Sequence, residues 1–464
     1  MNKKSIVHIF TKARMQTEEF LTEVEAIEEL TKKYWIQNIF FYKWELIKPN
    51  TLINKLEKSG IIFKNYSNKI DLKQQVIGFS KDYEIIYVST ILELFVNSVN
   101  ELKLALGHPL SDNPNIFRNK FLQRDLIQKH NSSLWIKFIK WTPENLNLKI
   151  IEKKVWYPFI IKPVDGVQSS WVAKILNEDD FHNYLDTYKD FHDRLQSRWV
   201  DNKELIVEEF IDWNLYSIDY FVTIAWEIRI SKPVKVRLWI DVDVNDYCNI
   251  ARISTEKTEM EFKWKRLKSF VESTVLATWI RNTFVHHEFK INSKWELKTI
   301  ELNGRIGGWR LELLKRAYDF NLYELLIGPV LKPIKLKESN IAVNIYATRR
   351  WILKWFNKDV LKEIEERPSV FHIKCDLINI WKEVWLTKDW FIKIWVIKLK
   401  NKYYPQLSED FTFIKSKYKD LLLIEELITP ITSIINHEEQ DDCKINKPKI
   451  FHVIDKLKYV FRKK

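Results

Sequence analysis

A chain of 464 residues is too long for one ordinary domain and has room for about three or four. With 46% hydrophobic and 30% charged residues, and no apolar run near the ~18–20 residues of a membrane span, it reads as a soluble globular protein. The net charge of +13 raises nucleic acid as a partner, but the lysines are scattered along the chain with no dense basic block, which disfavours that class.

Three widely spaced cysteines, Cys248, Cys375 and Cys443, indicate neither a disulfide framework nor a zinc site. The basic start MNKKSIVHIF has too short an apolar run for a secretory signal and reads as a first strand, so a cytoplasmic location is expected. SIVHIF, NIFFYK and YEIIYVST then alternate with helical stretches such as EEFLTEVEAIEELTKK. That is the rhythm of βαβ units around a parallel sheet, over residues 1–110. No G-x-G-x-x-G follows the first strand, so dinucleotide binding is not supported.

Next, Asp112 or Asn113 with Pro114 opens a helix whose apolar spacing runs from Phe117 to Ile127. PFIIKP is a strand ending on Lys162. The loop after it, DGVQSSW, offers backbone N–H groups and the hydroxyls of Ser169 and Ser170, the equipment of a phosphate cradle. A strand-ending lysine alone is more often simply solvated. A Walker-A sequence is absent, which argues against a P-loop fold. The polar helical stretch NEDDFHNYLDTYKDFHDRLQSR reads as a linker to the strand ELIVEEFID, which taken alone is an edge strand with exposed acids.

Phe284 to Arg310, FVHHEFKINSKWELKTIELNGRIGGWR, carries the densest chemistry. It reads as a hairpin with Lys294–Trp295 as a two-residue loop, so Ser293 faces Glu296, Lys290 faces Thr299 and Glu288 faces Glu301. Alternation puts Asn303 on the face of Glu301, with His286 across from it. Two like charges directly opposed destabilise a sheet. A divalent cation between them reverses that, and Glu288, Glu301 and Asn303 form an all-oxygen set suited to Mg²⁺, with Mn²⁺ as an alternative. Arg305 is placed to reach a phosphate sharing the metal. An ordinary solvated hairpin is the alternative.

The E-x-N-x-R-x-G-G pattern from Glu301 to Gly308 resembles the metal-binding end of the ATP-grasp family, and the alternating runs NIAVNIYAT, SVFHIKCDL and EVWLTKDWFIKIWVIKL resemble the small C-terminal domain of its carboxylate-amine or L-amino-acid ligase-like branch. Four further segments in the family's order extend the resemblance over residues 110–330. FRNKFLQRDL is similar to the helix whose lysine contacts ATP, here Lys120, and SSLWIKFIKW to the short strand pair that follows. KPVDGVQSSW resembles the segment in which Lys162 holds phosphates and Ser169 and Ser170 cover them. VEEFI resembles the adenine hinge, where Glu208 would accept from the adenine amino group and the backbone of Glu209 and Ile211 would hold the ring edge. Leu215 departs from the family, standing where a glutamate takes the ribose hydroxyls.

The resemblance implies an α/β and α+β multidomain protein. Its parts are a Rossmann-like N-terminal domain (1–110), a two-lobed ATP-grasp domain binding nucleotide and metal (111–335), a small, mainly antiparallel β domain (336–427) and a tail (428–464). It implies an ATP- and Mg²⁺-dependent ligase joining a small-molecule carboxylate to an amine through an acylphosphate. Arg305 and Lys162 would be catalytic, and Arg310 is a candidate for a substrate carboxylate. The other reading is a non-catalytic or carboxylase-type nucleotide-binding protein. No membrane partner is implied, and a homodimer is compatible.

Composition carries one anomaly: 20 Trp against 8 Gly. Pooled, the two make an ordinary glycine share. Trp156, Trp171, Trp213, Trp226, Trp295 and Trp309 stand at turn and loop positions, and the Trp295 site favours φ > 0, which is cheap only for glycine. Many of these tryptophans are therefore expected to be glycines in the native protein, as happens when a UGA codon meaning glycine is translated as tryptophan.

Overall fold

The βαβ rhythm of the first hundred residues closes into a parallel four-stranded sheet in the order β3-β2-β1-β4. Its strands are β1 (Lys3–Thr11), β2 (Gln37–Lys43), β3 (Ile62–Tyr66) and β4 (Tyr83–Ser89). The computed structural model describes residues 3–11, 18–43, 60–142, 147–166, 171–196, 204–242, 247–328, 334–347, 351–375, 383–384 and 393–425. Residues 426–464, which hold the expected tail, and the loop serines Ser169 and Ser170 lie outside the described residues. β1 is buried without alternation from Ser5 to Phe10, as a strand covered on both faces must be. β3 escapes a reading by pattern because Lys64 and Asn65 interrupt its apolar residues.

A second, antiparallel sheet has the order β5-β8-β6-β7, from β5 (Phe138–Trp141), β6 (Phe159–Pro163), β7 (Ala173–Ile175) and β8 (Leu205–Glu209). SSLWIKFIKW supplies only one strand to it, β5, paired with β8. The helix Glu178–Gln196 is not a linker. Phe181, Tyr184 and Tyr188 pack against Phe159, Ile161 and Val207 in one buried cluster.

The largest sheet starts with β9 (Asn214–Val222), β10 (Ile228–Ile230), β11 (Val234–Leu238), β12 (Asn249–Ser254), β13 (Thr283–Ile291) and β14 (Leu297–Asn303). β15 (Ser339–Tyr346), β16 (Trp351–Phe356), β17 (Val370–Cys375), β18 (Glu383–Val384), β19 (Lys393–Asn401) and β20 (Leu422–Glu425) follow. The order is β14-β13-β9-β11-β12-β15-β19-β17, with β10 beside β9, so the sheet runs unbroken from the acidic hairpin into the C-terminal strands. β18-β16-β20 form a small separate sheet. Between the second and the largest sheets, Ile160, Val172 and Phe210 meet Leu215, Val236 and Ile300 in an apolar seam.

The helix expected from Phe117 begins later. Asn119 accepts a hydrogen bond from the Leu122 N–H and caps the helix Lys120–His130, while Pro114–Arg118 is a tighter 3₁₀ turn with proline at its start.

Lys103, on the helix Val96–Ala105, ties the N-terminal sheet to the largest one. Its buried ammonium donates to the Asn282 carbonyl at 3.0 Å and sits 4.2 Å from the centre of the Tyr87 ring. Burial pushes its pKa down to about 7. Below that pH the amine is charged in both states. Between about 7 and the ordinary value of 10.5 the folded chain has released a proton that the unfolded chain keeps, so this group makes stability rise with pH. Lys103→Met is expected to remove that rise, measured as the difference in urea midpoints of the two proteins between pH 6.5 and 9.5.

Candidate active site

Strand pairing places the paired acids as their alternation demands. Glu288 lies opposite Glu301 and His286 opposite Asn303. The turn end differs from a two-residue loop. Ile291 pairs with Leu297 and Lys290 with Lys298, and a bulge beyond Glu288 leaves Ile300 extra before the register returns. The turn runs through Asn292–Trp295, with the Trp295 N–H donating to Asn292 O (3.1 Å) and the Asn292 N–H to Glu296 O (3.3 Å). Trp295 has φ +63°, so the loop is one residue longer than expected, and the Ile300 bulge takes up the difference.

The opposed acids are each matched by a cation. Lys120 Nζ lies 2.9 Å from Glu301 Oε1 and donates to the Gly166 carbonyl at 2.7 Å. His286 stands between Asp219 (3.1 Å) and Glu288 (3.6 Å). Burial would raise the Glu288 carboxyl, but His286, then Arg310 and Arg252, hold it down to about 2. Burial would lower the His286 imidazole, yet Asp219 lifts it above the ordinary histidine value. Asp219 also accepts from the Gly307 N–H at 2.7 Å. A Cβ on Gly307 would stand 2.3 Å from the His286 ring, so this position requires glycine for space.

Asn303 is buried, and its Oδ1 has no hydrogen-bond partner. An orphaned carbonyl oxygen next to two opposed carboxylates fits a hard divalent cation. The residues present therefore suit the Mg²⁺ expected there.

Lys162 and Glu208 form the second cluster. Lys162 pairs with Ile206 and Glu208 with Ile160 across β6 and β8, which sets the two charged side chains diagonally on one face. Lys162 Nζ lies 2.7 Å from Glu208 Oε2, and Arg124 Nε 2.8 Å from Glu208 Oε1; all three residues are buried. Burial would raise the Glu208 carboxyl, but Arg124 and Lys162 hold it below the usual range. Burial lowers the Lys162 amine despite Glu208 beside it. Both carboxylate oxygens of Glu208 thus face cations. Glu209 Oε1 accepts from the Lys137 N–H, and the Ile211 carbonyl accepts from Lys290 Nζ at 2.6 Å.

Arg305 meets a residue that sequence reasoning missed. Its Nη2 lies 2.8 Å from Glu93 Oε2, while Arg118 Nη1 lies 3.0 Å from Glu93 Oε1 and Arg118 Nη2 donates to the Asp165 carbonyl. Glu93 follows the carboxyl end of β4, where the order of the parallel sheet reverses between β1 and β4. Ligand sites of open parallel sheets collect at such a point, and that position was the available signal.

Arg310 is held by Ser217 and the Gly308 carbonyl. Its Nε and Nη2 donate to Ser217 Oγ (3.0 and 2.7 Å) and its Nη1 to the Gly308 carbonyl (3.1 Å). Arg252, on β12, was also missed, and its Nε and Nη1 are buried without a hydrogen-bond partner. Leu215 lines a cavity of about 590 Å³ together with Asp212, Asn214, Val236, Lys290 and Glu296. No sequence signal singles out Arg252.

Residues 155–312 match the family model of the ATP-grasp domain, so the chain carries an ATP-grasp domain. No curated protein matches the chain by sequence. Among solved structures, an L-amino acid ligase from Bacillus licheniformis superposes with a TM-score of 0.66 at 16% identity, over 92% of this chain and 100% of that one. N5-carboxyaminoimidazole synthetase from Staphylococcus aureus, complexed with ADP, gives 0.60 at 14% identity, over 88% and 96%. Phosphoribosylglycinamide synthetase from Anaerococcus prevotii gives 0.55 at 15%, over 92% and 100%. At such identities the likeness establishes the fold, a mixed α/β arrangement shared with these proteins. Among the described residues no helix is long and apolar enough to cross a membrane.

Glu208→Gln would leave Lys162 and Arg124 buried without a counter-charge. A loss of about 3–5 kcal/mol in folding stability is expected, read from the denaturant midpoint. An unchanged midpoint would contradict the buried triad.

Proposed function

We propose that this chain is an ATP-dependent, Mg²⁺-requiring ligase that joins a small-molecule carboxylate to an amine through an acylphosphate. The observation that carries this reading is the pairing of Glu288 with Glu301 beside the partnerless Oδ1 of Asn303. Mg²⁺ held by Glu288, Glu301 and Asn303 would neutralise charge on the ATP phosphates.

Lys120 and Lys162 would bind the phosphates, joined by Ser169 and Ser170 of the following loop. The adenine ring would occupy the apolar seam between the two sheets, with Glu208, Glu209 and the backbone of Ile211 at its edge. Glu208 would also hold the Lys162 ammonium in place. Arg305 would stabilise the charge of the transferring phosphoryl group, and its ion pair with Glu93 fixes its direction. The γ-phosphoryl passes to a carboxylate oxygen of the substrate and ADP leaves. The amine then attacks the acyl carbon, and phosphate departs with the C–O bond. Arg252 and Arg310 would provide positive charge for a substrate carboxylate. No protein nucleophile is needed, so the residues act by positioning and charge.

A non-catalytic nucleotide-binding role is favoured by one feature, the apolar Leu215 lining the cavity at the end of the hinge. Asp212 and Asn214 line the same cavity.

The test is ADP release from Mg·ATP across a panel of amino-acid pairs. Pair-dependent release that falls by about a hundredfold or more in Glu301→Gln is expected. ATP bound with no ADP from any pair would favour the binding role, and absence of nucleotide binding would sink both readings.

A further inference from the structure

Nine described residues other than glycine have positive φ: Trp35, Trp156, Trp171, Trp226, Trp279, Trp295, Trp309, Asn282 and Asp319. Two glycines, Gly60 and Gly107, share that conformation. Glycine, asparagine and aspartate are the residue types that enter the left-handed region at low cost, and tryptophan is not among them. The seven tryptophans have φ between 52° and 66°, so they cluster in one well rather than scatter.

Each stands where local geometry asks for glycine. Trp279 follows the helix Trp264–Thr278 in the left-handed conformation, and Trp35 and Trp156 lie just past the helices Glu18–Tyr34 and Leu148–Lys154. The residue after a helix is the preferred site of glycine. Trp226 and Trp295 occupy the same place in two hairpins. In each, the tryptophan N–H donates three residues back, from Trp226 to Thr223 and from Trp295 to Asn292. The residue accepting that bond donates in turn to the one after the tryptophan. This is the turn with a bulge at a left-handed residue, normally glycine. Trp309 follows Gly307–Gly308, and Trp171 closes the DGVQSSW loop. The indoles bring little in return at several of these sites: Trp35 is 82% exposed and Trp156 67%.

We infer that the natural polypeptide carries glycine at positions 35, 156, 171, 226, 279, 295 and 309, its UGA codons there being decoded as glycine. A glycine at 171 puts one at each end of the loop that bears Ser169 and Ser170, and one at 309 makes three in succession before the helix Arg310–Tyr318. The inference rests on backbone conformation and stands whether or not the chain is a ligase.

Two measurements test it. Peptide masses of the protein isolated from its natural source should lack an indolylmethyl group at each of the seven sites; peptides that retain it would overturn the inference. Independently, a recombinant chain with all seven changed by Trp→Gly is compared with one in which all seven are changed by Trp→Ala. Both lack the indoles, but only glycine relieves the left-handed strain. The glycine protein is expected to melt about 5–10 °C higher, and equal melting temperatures would remove the structural ground for the inference.

Discussion

Two carboxylates face each other across β13 and β14, and the surroundings of that pair are organised to make it tolerable. Opposed like charges weaken a sheet, so Glu288 and Glu301 persist only with positive charge close by. Lys120 supplies it for Glu301, and His286 for Glu288, with Arg310 and Arg252 adding to the field. His286 is in turn fixed by Asp219, which also takes the Gly307 N–H. The glycine loop, the neighbouring strand β9 and the helix that starts at Lys120 are thereby referenced to one acid pair.

The N-terminal sheet reaches the same place from the other side. Glu93, just beyond β4, joins Arg305 to Arg118, and Arg118 holds the Asp165 carbonyl at the start of the loop after β6. Groups from three separated stretches of chain thus set the direction of one guanidinium. A small shift of the parallel sheet would be felt at Arg305 before it was felt at the acid pair.

How much of this could be read from the chain depends on whether the signal is local. The facing of Glu288 and Glu301 was legible because strand side chains repeat every two residues. The turn is one residue longer than the two-residue loop expected, since Asn292 and Glu296 close it around three residues, and the Ile300 bulge restores the register by the acids. Lys162 and Lys120 were visible as a strand end and a helix start. The partners of Glu208 were not, since Arg124 lies 84 residues earlier and only the packing of the helix Lys120–His130 brings it there. Arg252 and Glu93 lack a local pattern for the same reason. The N-terminal parallel sheet followed from alternating apolar runs and the multidomain fold class from the family resemblance, whereas β3 and the docked role of the helix Glu178–Gln196 depended on burial that polar residues mask.

β14 is the outer strand of the largest sheet, and its free edge is closed by side chains of one helix. The Gln123 amide donates to the Leu302 carbonyl and accepts from the Leu302 N–H, as a neighbouring strand would, and Arg124 donates to the Ile300 carbonyl. An exposed edge is a template on which a second chain can add a strand. The side chains that seat the acid hairpin therefore also guard it against self-association. A change that loosens the helix would first show as aggregation, while the core beneath was still intact.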